Sequence, residues 1–258
     1  MKIATWNVNS LRVRLPHVLD WLKSAQPDVL ALQEIKLVDE LFPHDALAEA
    51  GYTCVVSGQP TYNGVAVLTR QPAQDAVRDI PRFDDPQRRV LAVTVGDLRV
   101  INLYVVNGEA VGSEKYAYKL AWLDALAAWL KDEAARYPNL VVLGDFNIAP
   151  DDRDVFEPEK WVGKILCSEP ERAALARLHE LGLTDVFRQF EQEEKTFSWW
   201  DYRMNGFKRN LGLRIDLILA SQAMAQRCKA SYVDKTPRGW ERPSDHAPVV
   251  AEFASTLN

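Results

Sequence analysis

Apolar positions recur along this chain in two periods, and the switches between them mark the elements. Residues 3–8 alternate and end on polar Asn7 and Asn9, the pattern of a strand. Leu15, Val18, Leu19 and Leu22 then follow helical spacing. Pro16 is expected in the first turn of that helix, where its missing N–H is tolerated, and Pro27 closes it. The run 29–32 reads as a buried strand that delivers Gln33 and Glu34 at its C-terminal end. A shorter helix follows Pro43 and stops near Gly51. Residues 52–56 and 64–69 are predicted strands joined by the turn cluster Pro60-Thr61-Tyr62-Asn63-Gly64. Residues 89–95 and 98–106 form a second hairpin across Gly96-Asp97. Ser113 can cap a long helix to about Tyr137, with Leu120, Leu123, Leu126 and Leu130 largely on one face and Pro138 beyond the end.

The second half repeats the scheme. The apolar run 140–143 delivers Asp145 and Asn147 in Gly144-Asp145-Phe146-Asn147. Residues 148–167 read as a polar loop carrying Asp151, Asp152, Asp154, Glu157 and Glu159. Ser168 and Glu171 have capping-box spacing for a helix ending at Gly182. Segments 196–200, 213–219 (which carries Asp216), 230–234 and 247–253 are predicted strands, and 202–212 is a basic, glycine-containing loop. No linker or low-complexity stretch divides the halves. The expectation is an α/β fold in a single domain over residues 1–258: two packed sheets, helices outside, a weak internal twofold repeat and loops converging at one edge.

Composition narrows the class of protein. A chain of 258 residues can bury a full core. It has no apolar run of about 18 residues, so no membrane span is expected. The N-terminus enters a strand at once, leaving no room for a signal peptide. Cys54, Cys167 and Cys228 are scattered and odd in number, which gives neither a zinc spacing nor a disulfide framework and fits a reducing cytoplasm. A net charge of −5 does not advertise a nucleic-acid binder. It does not exclude one either, because a bound metal neutralises carboxylates and local basic patches decide contact.

Asn7, Glu34, Asp145, Asn147 and Asp245 are hard oxygen donors at strand ends. Such a set suits Mg²⁺ or Mn²⁺ better than zinc, which prefers His and Cys. A magnesium ion polarises a phosphoryl oxygen and stabilises a leaving alkoxide. Turn capping explains any one of these residues well and all five poorly. Ser244-Asp245-His246-Ala247-Pro248 is more specific: of the four histidines, His17, His44 and His179 fall in helical or capping contexts. Asp216 interrupts an apolar strand and needs a partner. It could hold the His246 ring in its charged form, ready for a scissile phosphate.

In order along the chain, Trp6-Asn7-Val8-Asn9, Leu32-Gln33-Glu34, Tyr62-Asn63-Gly64-Val65-Ala66, Gly144-Asp145-Phe146-Asn147, Arg214-Ile215-Asp216 and Ser244-Asp245-His246-Ala247-Pro248 resemble the motifs of the exonuclease III family, within the endonuclease/exonuclease/phosphatase superfamily. The resemblance covers essentially the whole chain. Trp199-Trp200-Asp201-Tyr202-Arg203 and Asn210-Leu211-Gly212-Leu213-Arg214 resemble its DNA-repair branch. It implies a four-layered α/β sandwich, two mixed β-sheets flanked by helices. It also implies Mg²⁺-dependent hydrolysis of duplex DNA at 3′ ends, nicks and abasic sites, with Mn²⁺ as a substitute, by a monomer associated with the bacterial nucleoid. By position, Glu34 binds metal with Asn7 and Asp245 assisting, and Asp145, Asn147 and His246 complete the candidate ligands. Asp145 orients or deprotonates the attacking water, Asn147 and Tyr104 position water and phosphate, and His246 with Asp216 holds a phosphate oxygen. Asn107 matches a phosphate contact, Trp199 an aromatic wall for an extruded sugar, and Tyr62 the DNA face. Leu213 stands where some members carry tryptophan.

Arg88, Arg89, Lys115, Arg203, Lys208, Arg209, Arg238 and Arg242 fit a DNA track, best of all the 203–209 cluster interleaved with Tyr202 and Phe207. The same core could instead serve a small phosphoester such as an inositol phosphate or lipid headgroup, or belong to a catalytically dead binding module. Within the nuclease reading, the acidic flank 151–160 opposes a continuous duplex and Leu166 adds bulk to the sugar pocket. The expectation is that 3′-terminal substrates are processed at least as well as internal abasic sites.

Overall fold

The computed structural model describes residues 1–255. Its first half runs β1 (Lys2–Asn7), α1 (Leu11–Ala25), β2 (Val29–Gln33), α2 (His44–Glu49), β3 (Thr53–Ser57) and β4 (Val65–Thr69). Next come β5 (Gln74–Arg78), β6 (Val90–Val95), β7 (Leu98–Tyr104), α3 (Glu114–Arg136) and β8 (Leu140–Asp145). The remainder is α4 (Pro158–Trp161), α5 (Glu169–Glu180), β9 (Thr184–Asp185), β10 (Trp199–Trp200), β11 (Gly212–Leu213), β12 (Asp216–Ala220), α6 (Gln222–Arg227), β13 (Cys228–Val233) and β14 (Val249–Phe253).

The strands build two six-stranded sheets, ordered β13-β14-β1-β2-β4-β3 and β5-β6-β7-β8-β12-β9, and β10 with β11 forms a separate short ribbon. Each sheet has one parallel pair, at its centre: β1 with β2, and β7 with β8. Each of those pairs is bridged by a helix, α1 or α3, because parallel neighbours need a crossover that a tight turn cannot supply. Every other pairing is antiparallel, so the two sheets share one pairing pattern. The expected twofold repeat is therefore present in the topology.

Burial follows strand alternation. In β1, Ala4 and Trp6 pack outward with Trp21 and Leu22 of α1, while Ile3 points between the sheets. In β8, Leu140 and Val142 pack outward with Leu126 of α3 and Leu178 of α5, while Val141 and Leu143 point inward. Both faces are covered, so these strands read as continuous apolar runs. Helices, sheet, sheet and helices make the four-layered sandwich that the resemblance implies. Asn102 of β7 crosses the middle layer and donates to the Leu32 and Ala66 carbonyls at 3.0 and 2.9 Å. Gln33 donates back to Asn102 Oδ1 at 2.8 Å, pinning the sheets together one residue from Glu34.

Several expectations need correction. Helix α1 begins at Leu11 under the Ser10 cap, so Pro16 lies in the second turn rather than the first. Strand β5 carries polar, mostly exposed residues at a sheet edge and left no apolar signal. The expected strand 213–219 is broken at Arg214 and Ile215, because the Arg214 guanidinium is buried between Asp154 and Asp185 at 2.6 and 2.7 Å. The expected loop 148–167 contains a 3₁₀ turn at Asp152–Asp154 and α4.

Candidate active site

The two parallel pairs deliver the chemistry. The C-terminal ends of β1 and β2 set Asn7 beside Glu34, and those of β7 and β8 set Tyr104 opposite Asp145. Gly144 makes the second approach possible: a Cβ there would sit 1.9 Å from the Leu103 carbonyl oxygen, at a φ of +146°. Antiparallel β12 then places Asp216 opposite Asp145. Asn7 bridges the sheets, donating to Glu34 Oε2 at 2.6 Å and to Asp145 Oδ2 at 3.0 Å. Glu34 and Asn147 both hold left-handed backbone, φ 51° and 47°, conformations that non-glycine residues keep only where their surroundings impose them.

Asp145 is held by its neighbours at both oxygens. Its Oδ1 accepts from the Asn147 N–H at 3.0 Å, and its Oδ2 lies 3.6 Å from His246 Nε2. The Asn147 side chain turns its amide N–H to the Val105 carbonyl at 2.8 Å. Asn107 Nδ2 reaches Asn147 Oδ1 at 3.5 Å, the limit of a hydrogen bond. His246 Nδ1 faces Asp216 at 2.8 Å, and the Ser198 hydroxyl donates to the same carboxylate at 2.7 Å. Burial pushes the Asp145 carboxyl up to about 7, with Asp216 adding to it and His246 opposing it. Burial pulls His246 down, but Asp216 and then Asp145 carry it up to about 10, so the ring holds its proton at neutral pH. Burial, then the Glu34 and Asp145 charges, hold the Tyr104 hydroxyl well above the usual phenol range, which leaves it a donor.

Glu34, Asp145 and His246 offer ligand atoms within 4.8 Å of one another. Of the two ring nitrogens of His246 only Nε2 faces this group, because Nδ1 is turned to Asp216. Asp245 lies at the rim, accepting from Trp199 Nε1 at 3.0 Å and from Asn9 Nδ2 at 3.3 Å. The Glu34 and Asp145 carboxylates of that group are hard oxygen donors of the kind Mg²⁺ takes.

The expected DNA contacts scatter more. Tyr62 and Asn107 line one open groove of about 710 Å³ with Gln87, Arg89 and Lys115. Trp199 and Arg203 line a separate apolar cavity of about 410 Å³ with Phe156, Trp161 and Met204. Arg203 is held by Asp201 and Arg88 by Asp79. Lys208 and Arg209 are exposed and line neither cavity. Two members of the expected track are buried against aromatic rings, Arg89 while still lining the groove. Arg89 is buried over the Tyr104 ring at 4.8 Å, and Arg238 is buried between Tyr202 and Phe207 and donates to the Trp200 carbonyl. The acidic flank is also largely spent. Asp154 is buried against Arg214 and Arg188, Asp151 pairs with Arg153, Asp152 with Arg172 and Glu157 with Lys160. Sequence reasoning missed Ser198 and gave Asn9 a place in a motif but no role, since their partners lie 18 and 236 residues away along the chain.

Two mixed sheets with this shared pairing, meeting at an Asn, Glu, Asp and His cluster, define a class. The chain belongs to the Endonuclease/Exonuclease/phosphatase family, whose pattern matches residues 4–246, and it is a hydrolytic nuclease. It is 39% identical to exodeoxyribonuclease III of Haemophilus influenzae over 98% of this chain and 100% of that one. Among solved structures it is similar to the 3′ phosphatase NExo from Neisseria bound to a product DNA hairpin, with a TM-score of 0.97 and 54% identity over 99% of this chain and 100% of that chain. An AP endonuclease from Archaeoglobus fulgidus gives a TM-score of 0.95 at 39% identity, again over 99% and 100%.

Proposed function

We propose that this chain is a Mg²⁺-dependent DNA-repair phosphodiesterase that acts, as a cytoplasmic, nucleoid-associated monomer, on duplex DNA, and that it processes 3′ ends and nicks at least as well as internal abasic sites. The carrying observation is the His246–Asp216 pair set against Asp145, with Glu34 within reach of both. Glu34, Asp245 and Asp145 would hold Mg²⁺, with Asn7 orienting two of those carboxylates. The ion supplies polarisation of a phosphoryl oxygen and charge compensation at the leaving oxygen.

The chain's own groups do the rest. Asp145, once deprotonated, takes a proton from the attacking water, and Asn147 fixes its orientation through the backbone N–H on Oδ1. The Asn147 amide nitrogen is committed to Val105, which fixes the side chain, and its Oδ1, reached only at 3.5 Å by Asn107, keeps a lone pair for the water. His246 donates Nε2–H to a non-bridging phosphate oxygen, and Asp216 with Ser198 fixes its ring. Tyr104 adds a second donor.

The substrate preference rests on the apolar wall. Leu166, Leu213 and Trp199 pack in one cluster with Val155 and Ile215, and Leu166 is only 6% exposed. Neither leucine lines the cavity on the other side of Trp199. An extruded, base-less sugar needs open apolar space beside the catalytic cluster; Leu166 and Leu213 fill their part of the wall, and the open space at Trp199 is bordered by Phe156, Trp161 and Met204 instead. A 3′-phosphate needs none. With its charges paired, the acidic flank adds little to the argument. The relatives bracket the proposal: one is a 3′ phosphatase and another an AP endonuclease.

The test is Glu34→Ala and Asp145→Asn assayed on a 3′-phosphorylated duplex with Mg²⁺. Each is expected to lose about 10²–10⁴ in kcat. Full activity in either variant contradicts the assignment.

A further inference from the structure

Lys119 lies inside the molecule with no exposure, on α3, and its ammonium uses all three donors. It donates to the Asn147 carbonyl at 2.6 Å, to the Asn107 carbonyl at 3.1 Å, and to Glu171 Oε1. Glu171, in the first turn of α5, is equally buried. Its Oε1 also accepts from the Leu166 N–H at 3.0 Å, and its Oε2 accepts from the Ser168 N–H at 3.1 Å and the Ser168 hydroxyl at 2.6 Å. One ion pair therefore ties together three loops that border the site: the one after β7, the one after β8, and the one before α5. Gly108 lets the first of these lie on the lysine stem. A Cβ there, at φ +88°, would meet Ile165 Cδ1 at 2.9 Å and Lys119 Cδ at 3.0 Å.

A buried pair of this kind is a poor source of stability, since burying two charges offsets much of their attraction. What it does supply is geometry. The carbonyls it grips belong to Asn147 and Asn107, and the backbone N–H it grips belongs to Leu166, whose φ of +73° is left-handed. We propose that Lys119 and Glu171 are positioning residues that fix the water- and phosphate-orienting amides and the apolar wall in one register. The inference rests on the reading of Asn147 and Asn107 given above. Neither charge touches substrate; each acts through the loop it holds. The effect therefore falls on the chemical step, where small misplacements of oriented groups are costly, more than on binding.

Three variants test this: Lys119→Met, Lys119→Met/Glu171→Leu, and Gly108→Ala. The readouts are kcat and KM on a 3′-phosphorylated duplex with Mg²⁺, together with the melting temperature. The double variant leaves no unpaired buried charge, so it is expected to melt above Lys119→Met. Its kcat is expected to stay at least about tenfold below wild type (1.4 kcal/mol). KM should remain within about threefold of wild type, the signature of a lost transition-state interaction. Gly108→Ala, with both charges intact, should lower kcat in the same direction. A folded double variant with kcat within about twofold of wild type overturns the proposal. Should the double variant not fold, wild-type kcat in Gly108→Ala overturns it. Asn147→Ala serves as the control: full activity there means that the reading of the site has failed, not the role of Lys119.

Discussion

Asp145 and His246 titrate in opposite senses for the same reaction, and the sign of each fixes a limb of the pH profile. Asp145, raised to about 7, works as the base only when deprotonated, so kcat/KM should climb as pH rises through that range. A cation beside a carboxylate favours its charged form, so raising Mg²⁺ should move this limb to lower pH. His246, raised to about 10, works as the donor only when protonated, so activity should fall as pH rises through that value. A profile measured at two Mg²⁺ concentrations checks both limbs, and an acid limb indifferent to Mg²⁺ contradicts the assignment of Asp145. Asn7, Glu34, Asp145, Asp216 and His246 were legible in the sequence because residue type and strand-end position together signal chemistry. Ser198 and Asn9 were not, since a serine or asparagine gains its role only from a partner that folding brings. The burial of Arg89 and Arg238 was hidden for the converse reason: a lone arginine looks the same in sequence whether it faces solvent or stacks on an aromatic ring.

At the scale of elements, the junction between β11 and β12 is held by charge. Arg214 is buried among Asp154, Asp185 and the Phe187 ring, and Arg188 shares Asp154. Asp154→Ala would leave the Arg214 charge buried with half its partners. The expected cost is about 3–5 kcal/mol in urea unfolding, and a loss below about 1 kcal/mol, the range of exposed pairs, would show that the cluster is superficial. Strands buried on both faces and the capped helices α3 and α5 were readable from runs, periods and caps. The break in 213–219 was not, because apolar flanks hid a buried arginine whose carboxylate partners lie 60 and 29 residues away. Edge strand β5 was invisible because it is polar and pairs on one side only.

At the scale of the whole molecule, the core and the site are separable. Apolar clusters fill all three interfaces of the sandwich, and the carboxylates sit at the ends of its central strands, outside those clusters. Chelation by EDTA is therefore expected to abolish turnover while shifting the melting temperature by only a few degrees, unlike small domains that fold only around a metal. Collapse of the circular dichroism signal on chelation would contradict this. The twofold topology was foreseeable because both halves repeat a strand, helix and strand ending in polar residues. No helix among the described residues is long and apolar enough to cross a membrane.

The most direct test of the account compares kcat/KM with Mg²⁺ on two labelled duplexes, one with a 3′-phosphate at a nick and one with an internal abasic site. The packed wall of Leu166, Leu213 and Trp199 predicts that the 3′-phosphate is processed at least as well. A value for the abasic site about tenfold or more above it, equivalent to about 1.4 kcal/mol in barrier, would contradict the proposed preference, and no Mg²⁺-dependent cleavage of either duplex would contradict the site itself.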